Sequence, residues 1–131
     1  MFDFIKIAVT KFFDDWLSIR KEKREFAKKE IQNLKELQNE IAFYYEIFSS
    51  YRDLGYKEKY FIELYDKQFA LLAKVAEYKE LRQLLKDFFQ NINCLIDDLR
   101  KSYDDRKDRA DLKKSYDDFI LEITKTIGSL K

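Results

Sequence analysis

Residues 104–108 read DDRKD. Three aspartates at this spacing, Asp104, Asp105 and Asp108, have the spelling of a magnesium-diphosphate motif. That chemistry takes carboxylates from two facing helices around a deep apolar cavity, and the chain carries the motif once. Arg106, Lys107 and Arg109 are interleaved with the acids. At three- and four-residue spacing, Asp104 is expected to meet Lys107, and Asp105 to meet Arg109. A calcium loop fails too, because the sixth-position glycine and the closing glutamate are missing. The simpler reading is a solvated, salt-laced connector.

The word KSYDD occurs at Lys101 and again at Lys114. In the second copy, Ser115 precedes Asp118 by three residues, just ahead of an apolar-periodic run. This is a capping-box pattern and predicts a helix start at Ser115. Ser102 in the first copy either caps a new helix or lies inside the preceding one.

The chain has no histidine and one cysteine, Cys94. Histidine-based triads and the usual zinc sites are thereby excluded. No intrachain disulfide can form, which fits a reducing compartment. Two isolated glycines, Gly55 and Gly128, make no phosphate-binding loop. Asp-Asp pairs recur at 14–15, 97–98, 104–105 and 117–118. Nothing in the sequence brings them to one cleft with unequal surroundings, as acid–base catalysis requires. No catalytic residue, metal or cofactor is expected, and the chain reads as a non-enzyme.

The elements that hold these residues are helices. The chain has no proline, and both its apolar share (46%) and its charged share (39%) are high. Such a chain sorts the two classes onto opposite faces of long helices. Phe2, Ile5, Val9, Phe12, Trp16 and Ile19 step by three and four, as one helical stripe does. A charged waist, RKEKREFAKKE, follows without a helix breaker. The stripe resumes at Ala27, Leu34, Leu37, Ile41, Tyr44, Phe48 and Tyr51, so residues 2–50 can be one helix with a polar waist, a break near Arg20–Glu25 being the competing reading. Ser49 to Gly55 is the expected turn, with Gly55 supplying a positive φ. A second long helix is expected from about Lys57, with its richest stripe at Tyr78, Leu81, Leu85, Phe88, Ile92, Leu95 and Leu99. A short third helix, Ser115 to Ile127, should stop at Gly128.

The expected fold is therefore all-α: one domain, 1–131, built as an antiparallel long-helix hairpin or bundle of three to four helices with a short C-terminal helix. With the turn near residue 54, the stripe at 2–19 should lie against 88–103. Trp16 and Phe88 should then both be core rings.

Function is read from what such a fold leaves over. Phe43, Tyr44, Tyr45, Phe48, Tyr51, Tyr56, Tyr60, Phe61 and Tyr65 crowd the turn end. They are more ring surface than two helices can cover, and aromatic residues suit interface centres. They are expected to bind another protein, as a small regulator or inhibitor would, or a second copy in a homodimer with coiled-coil packing. A second reading is membrane or phosphate contact by the first helix, through Phe12, Trp16, Arg20, Lys21, Lys23, Arg24, Lys28 and Lys29. A third takes the basic run Arg20–Lys29 as a nucleotide or nucleic-acid contact. Net charge of +1, from 26 basic and 25 acidic residues, disfavours nucleic acid. No apolar run reaches the length of a membrane span, and the N-terminus lacks the features of a secretory leader. A cytoplasmic location is expected.

Overall fold

The computed structural model describes the backbone from Phe2 to Lys131 and the side chains of residue 11 and residues 13–131. Four helices follow in order: α1 (Phe2–Ser49), α2 (Leu54–Ala73), α3 (Lys79–Arg100) and α4 (Arg106–Leu130). Among the described residues there is no strand.

α1 is unbroken for 48 residues, about 72 Å at the usual rise. Its charged waist holds because lysine, arginine and glutamate favour the helix and neither glycine nor proline interrupts residues 2–49. The first turn forms as expected but by a different device. Asp53, not Gly55, marks it: the Asp53 carboxylate accepts the Tyr56 N–H at 2.9 Å and caps α2. Gly55 lies inside the first turn of α2 with no positive φ.

The second long helix breaks in two at Lys74–Tyr78. Successive i→i+3 bonds serve the backbone there, Lys74 N–H to Leu71, Val75 to Leu72, Ala76 to Ala73 and Tyr78 to Val75. The turn therefore needs neither glycine nor proline. Val75 is fully buried by it, and the Tyr78 hydroxyl donates to the Glu30 carboxylate at 2.9 Å. Folding α2 back along α3 buries the apolar faces of both, which one straight helix would leave apart.

α3 ends in a Schellman motif. Tyr103 N–H bonds the Asp98 carbonyl at 2.8 Å and Ser102 N–H bonds Leu99 at 3.2 Å. The left-handed position usually given to glycine is held by Ser102, at φ 56°. So the first KSYDD ends a helix.

The second copy is no helix start. α4 begins at Arg106, and Ser115 is buried in its middle. Its hydroxyl donates to the Leu112 carbonyl and accepts from Asn91 Nδ2, both at 3.0 Å. The earlier start lets Leu112 join the core, fully buried. Nor does Gly128 stop the helix, which runs on to Leu130. The C-terminal helix is therefore 25 residues long rather than short.

Contacts run α1–α2, α2–α3, α3–α4 and α4–α1. Each pair is antiparallel: Tyr44 meets Glu63, Arg100 meets Glu58, Asn91 meets Ser115, and Tyr45 stacks on Tyr116 while Arg109 meets Ser49. Leu34, Leu37, Ile41, Tyr44 and Phe48 of α1 line the core with Leu81, Leu85, Phe88, Ile92 and Leu95 of α3 and Phe119 and Ile123 of α4. The predicted contact between residues 2–19 and 88–103 is absent for the described side chains, because the longer α4 covers α3 instead. Phe88 is core; Trp16 is not.

Candidate functional site

α1 outruns its neighbours. Pairing Tyr45 with Tyr116 carries the end of α4 back only to about residue 31 of α1, and the α2–α3 turn meets α1 at Glu30. Toward the N-terminus, every described side chain from residue 11 to Phe26 is exposed. Phe13 is 56% exposed, Trp16 45%, Ile19 53% and Phe26 64%. Leu17 is exposed as well. The Phe13 and Trp16 rings lie 5.8 Å apart, and the Arg20 guanidinium stands 5.4 Å over the Trp16 ring. Arg20, Lys21, Lys23, Arg24, Lys28 and Lys29 are all exposed, with Glu22 and Glu25 between them. Phe12, grouped with these residues on sequence, lies outside the described side chains.

At the root of this arm a depression of about 260 Å³ is lined by Phe26, Ala73, Ala76 and Tyr78 together with the charged Glu30, Lys74 and Glu77. Burial and the bond to Glu30 push the Tyr78 hydroxyl up to about 12, so this bond keeps its proton through the neutral range. Phe26 stands inside the basic run, and its spacing from the core stripe is the signal that ties it to this depression.

The aromatic set at the other end is dispersed. Tyr44 and Phe48 are buried and form part of the core, so the folded chain does not offer them to a partner. The Tyr44 hydroxyl donates to Glu63 at 3.1 Å, and burial and that bond raise its pKa. Tyr45 is half-buried, stacked flat on Tyr116 at 4.1 Å. Tyr56, Tyr60 and Phe61 are half-buried between helices, with Phe43 edge-on to Tyr60 at 5.8 Å. Phe43, Tyr51 and Tyr65 are exposed. Tyr51 carries the Arg109 guanidinium at 5.1 Å. Sequence periodicity missed a second exposed stripe on α2, Ile62 and Phe69 flanking Tyr65.

The DDRKD acids are engaged locally. Arg106 grips Asp104 at 2.6 Å, and these bonds hold the Asp104 carboxyl down to about 2. Lys107, its expected partner, is not used, because the chain turns at Asp104 before α4 begins. Arg109 does bond Asp105, at 2.6 Å. Asp108 differs: its Oδ2 is buried without a partner, and burial with the neighbouring Asp98 carboxylate pushes it up to about 6. Among the described residues no group of three carboxylate, cysteine or histidine side chains stands where it can hold one metal ion. Cys94 is exposed. Lys57 is almost wholly buried, and burial lowers its pKa, helped by the nearby Arg109 charge.

A groove of about 280 Å³ between α3 and α4 is lined by Asp87, Asn91, Asp111, Lys114 and Asp118. The Asn91 amide bridges Ser115 and the Asp111 backbone carbonyl across it, tying α3 to α4. Among the described residues no helix is long and apolar enough to cross a membrane. Comparison with protein-family models, with curated proteins and with solved structures found no match for this chain.

Proposed function

We propose that the chain is a non-catalytic interaction module: an up-down-up-down helical bundle that holds out one amphipathic arm, residues 2–29, by which two copies associate. The exposed apolar stripe of the arm carries this reading. Among the described residues, nothing else in the chain backs the helix segment that carries Phe13, Trp16 and Ile19. A lone surface helix of this length has no tertiary packing to stabilise it, and a partner helix supplies that packing.

The arm's apolar side is the side on which the bundle sits. Trp16 and Leu34 are eighteen residues apart, about five whole turns, as are Ile19 and Leu37, and Phe26 and Tyr44. A straight α1 cannot lay that side along a flat bilayer without driving α2–α4 into it. A helical partner has no such conflict. The interleaved Glu22, Glu25 and Glu30 likewise weigh against a phosphate backbone. The exposed Cys94 thiol fits a reducing compartment such as the cytoplasm.

Light scattering across a concentration series tests the reading. The expected mass rises from 16.0 kDa toward twice that value. Ile19→Glu should return it to the monomer with the cooperative unfolding of the bundle retained, any loss of helical circular dichroism being confined to the arm. A chain that stays monomeric at high micromolar concentration sinks the proposal. A monomer that floats with anionic vesicles replaces it with membrane docking.

A further inference from the structure

We propose that Asp98 and Asp108 form a proton-operated latch across the α3–α4 connector: one hydrogen bond between the two carboxyls closes that end of the bundle in acid, and loss of its proton lets the connector open.

The contact itself calls for a proton. Among the described residues, one buried side-chain oxygen or nitrogen has no partner, Asp108 Oδ2. The Asp98 carboxyl stands within hydrogen-bonding reach of Asp108. Two ionised carboxylates cannot satisfy each other, because both only accept. A single proton turns the same contact into an O–H···O bond and leaves no buried oxygen orphaned.

No cation competes for that place. Asp98 faces Asp108 from α3, and Asp105 and Asp111 approach it along α4. The basic groups around it are engaged: Arg106 with Asp104, Arg109 with Asp105, Lys101 with Asp97 and Arg100 with Glu58. Lys107 is exposed. From α2, Lys57 comes near Asp105 and Arg109. α1 reaches this turn of α4 with the Ser49 and Ser50 carbonyls, which Arg109 holds. Burial and the surrounding acids accordingly push the Asp108 carboxyl from 3.8 up to about 6.

The latch spans a segment with a reason to open. The Asp98 carbonyl receives the Tyr103 N–H that ends α3, and Asp108 stands in the first turn of α4. Between them Ser102 is held at φ 56°, a strained position for a residue with a Cβ. The closed connector keeps a proton on Asp108 that the open one has released. Closure is therefore fully supported below about pH 4, weakens between about 4 and 6, and is level above. From pH 4 to 7 the opening constant should rise on the order of fiftyfold if the whole shift is felt, and at least ~tenfold once partial exposure to water is allowed for.

Amide hydrogen exchange on the full chain tests the latch, each rate divided by its intrinsic rate at the same pH. The Tyr103 and Arg109 N–H groups, bonded to the Asp98 and Asp105 carbonyls, report the connector and the first turn of α4. The Ile92 amide, in the buried middle of α3, reports unfolding of the whole bundle. Protection of Tyr103 and Arg109 should fall at least ~tenfold from pH 4 to 7 while staying below that of Ile92 throughout. Asp108→Asn should make it flat, and Asp98→Asn should leave only a few-fold change. Protection that does not fall in the unaltered chain, or falls equally in Asp108→Asn, overturns the proposal. A full response retained in Asp98→Asn means that burial alone acts on Asp108 and removes the pair. Exchange at Tyr103 and Arg109 that matches Ile92 at every pH means that the bundle opens as a whole, and overturns the latch as a local device.

Discussion

Asp108→Asn should stabilise the protein at pH 7 and leave it nearly unchanged at pH 4. Asp108 stands in the first turn of α4, one carboxylate oxygen buried without a partner and Asp98 facing it from α3. Its carboxyl is pushed from 3.8 up to about 6. The native state therefore holds a proton between those values that the unfolded chain has released. The contribution of this carboxyl to stability is fully expressed below pH 4, falls as pH rises toward 6, and stays low above it. A shift of this size corresponds to ~3 kcal/mol if the whole of it is felt. The side chain is not fully buried, so water recovers part of that. An ionised acid near a helix N-terminus also returns roughly 0.5 kcal/mol. Asparagine removes the charge and supplies an N–H for Asp98, which leaves a net gain of about 1–2 kcal/mol at pH 7. Urea unfolding of both proteins from pH 4 to 7.5 measures it. A difference that does not grow with pH, or a variant less stable at pH 7, would show that the Asp98–Asp108 pair is not strained.

Ser102→Gly should raise stability by ~0.5–1 kcal/mol, because glycine meets the left-handed φ without a Cβ clash. A lowered melting temperature would refute it. Phe88→Ala should cost about 3–5 kcal/mol, whereas Trp16→Ala should leave unfolding of the dilute chain within ~0.5 kcal/mol of wild type and weaken only association. Equal losses in denaturant titrations would place Trp16 in the core after all. Lys57→Met should stabilise by ~1 kcal/mol at neutral pH, since it keeps the buried stem and removes a charge that burial disfavours. Differential scanning calorimetry reads the change, and a drop in melting temperature would mean that Asp105 depends on the lysine.

Periodicity made the core stripes at Leu34–Phe48 and Leu81–Leu95 legible, because three-four spacing reports which side of a helix is buried, but it left open a break near Arg20–Glu25 that the continuous α1 does not have. It did not show the break at Lys74–Tyr78, where i→i+3 bonds do the work usually left to glycine or proline. Local punctuation misled at Ser115 and Gly128. A serine inside a helix can bond back to its own backbone, and an isolated glycine is tolerated where packing on either side holds the helix. The arm shows the deeper limit. Its pattern says that one side calls for cover and not which chain provides it. The aromatic set fails for a related reason: composition counts rings, and Tyr44 and Phe48 are inside while Tyr51 is outside.

One uninterrupted α1 also restricts how this protein can change over generations. Each residue added or deleted between Arg20 and Glu25 would swing everything upstream by about 100° around the axis. A single-codon insertion there would aim Trp16 and Ile19 away from their present bearing while leaving the bundle untouched. Length variation in that waist should therefore survive mostly in steps near seven, eleven or eighteen residues, the intervals that restore the original heading.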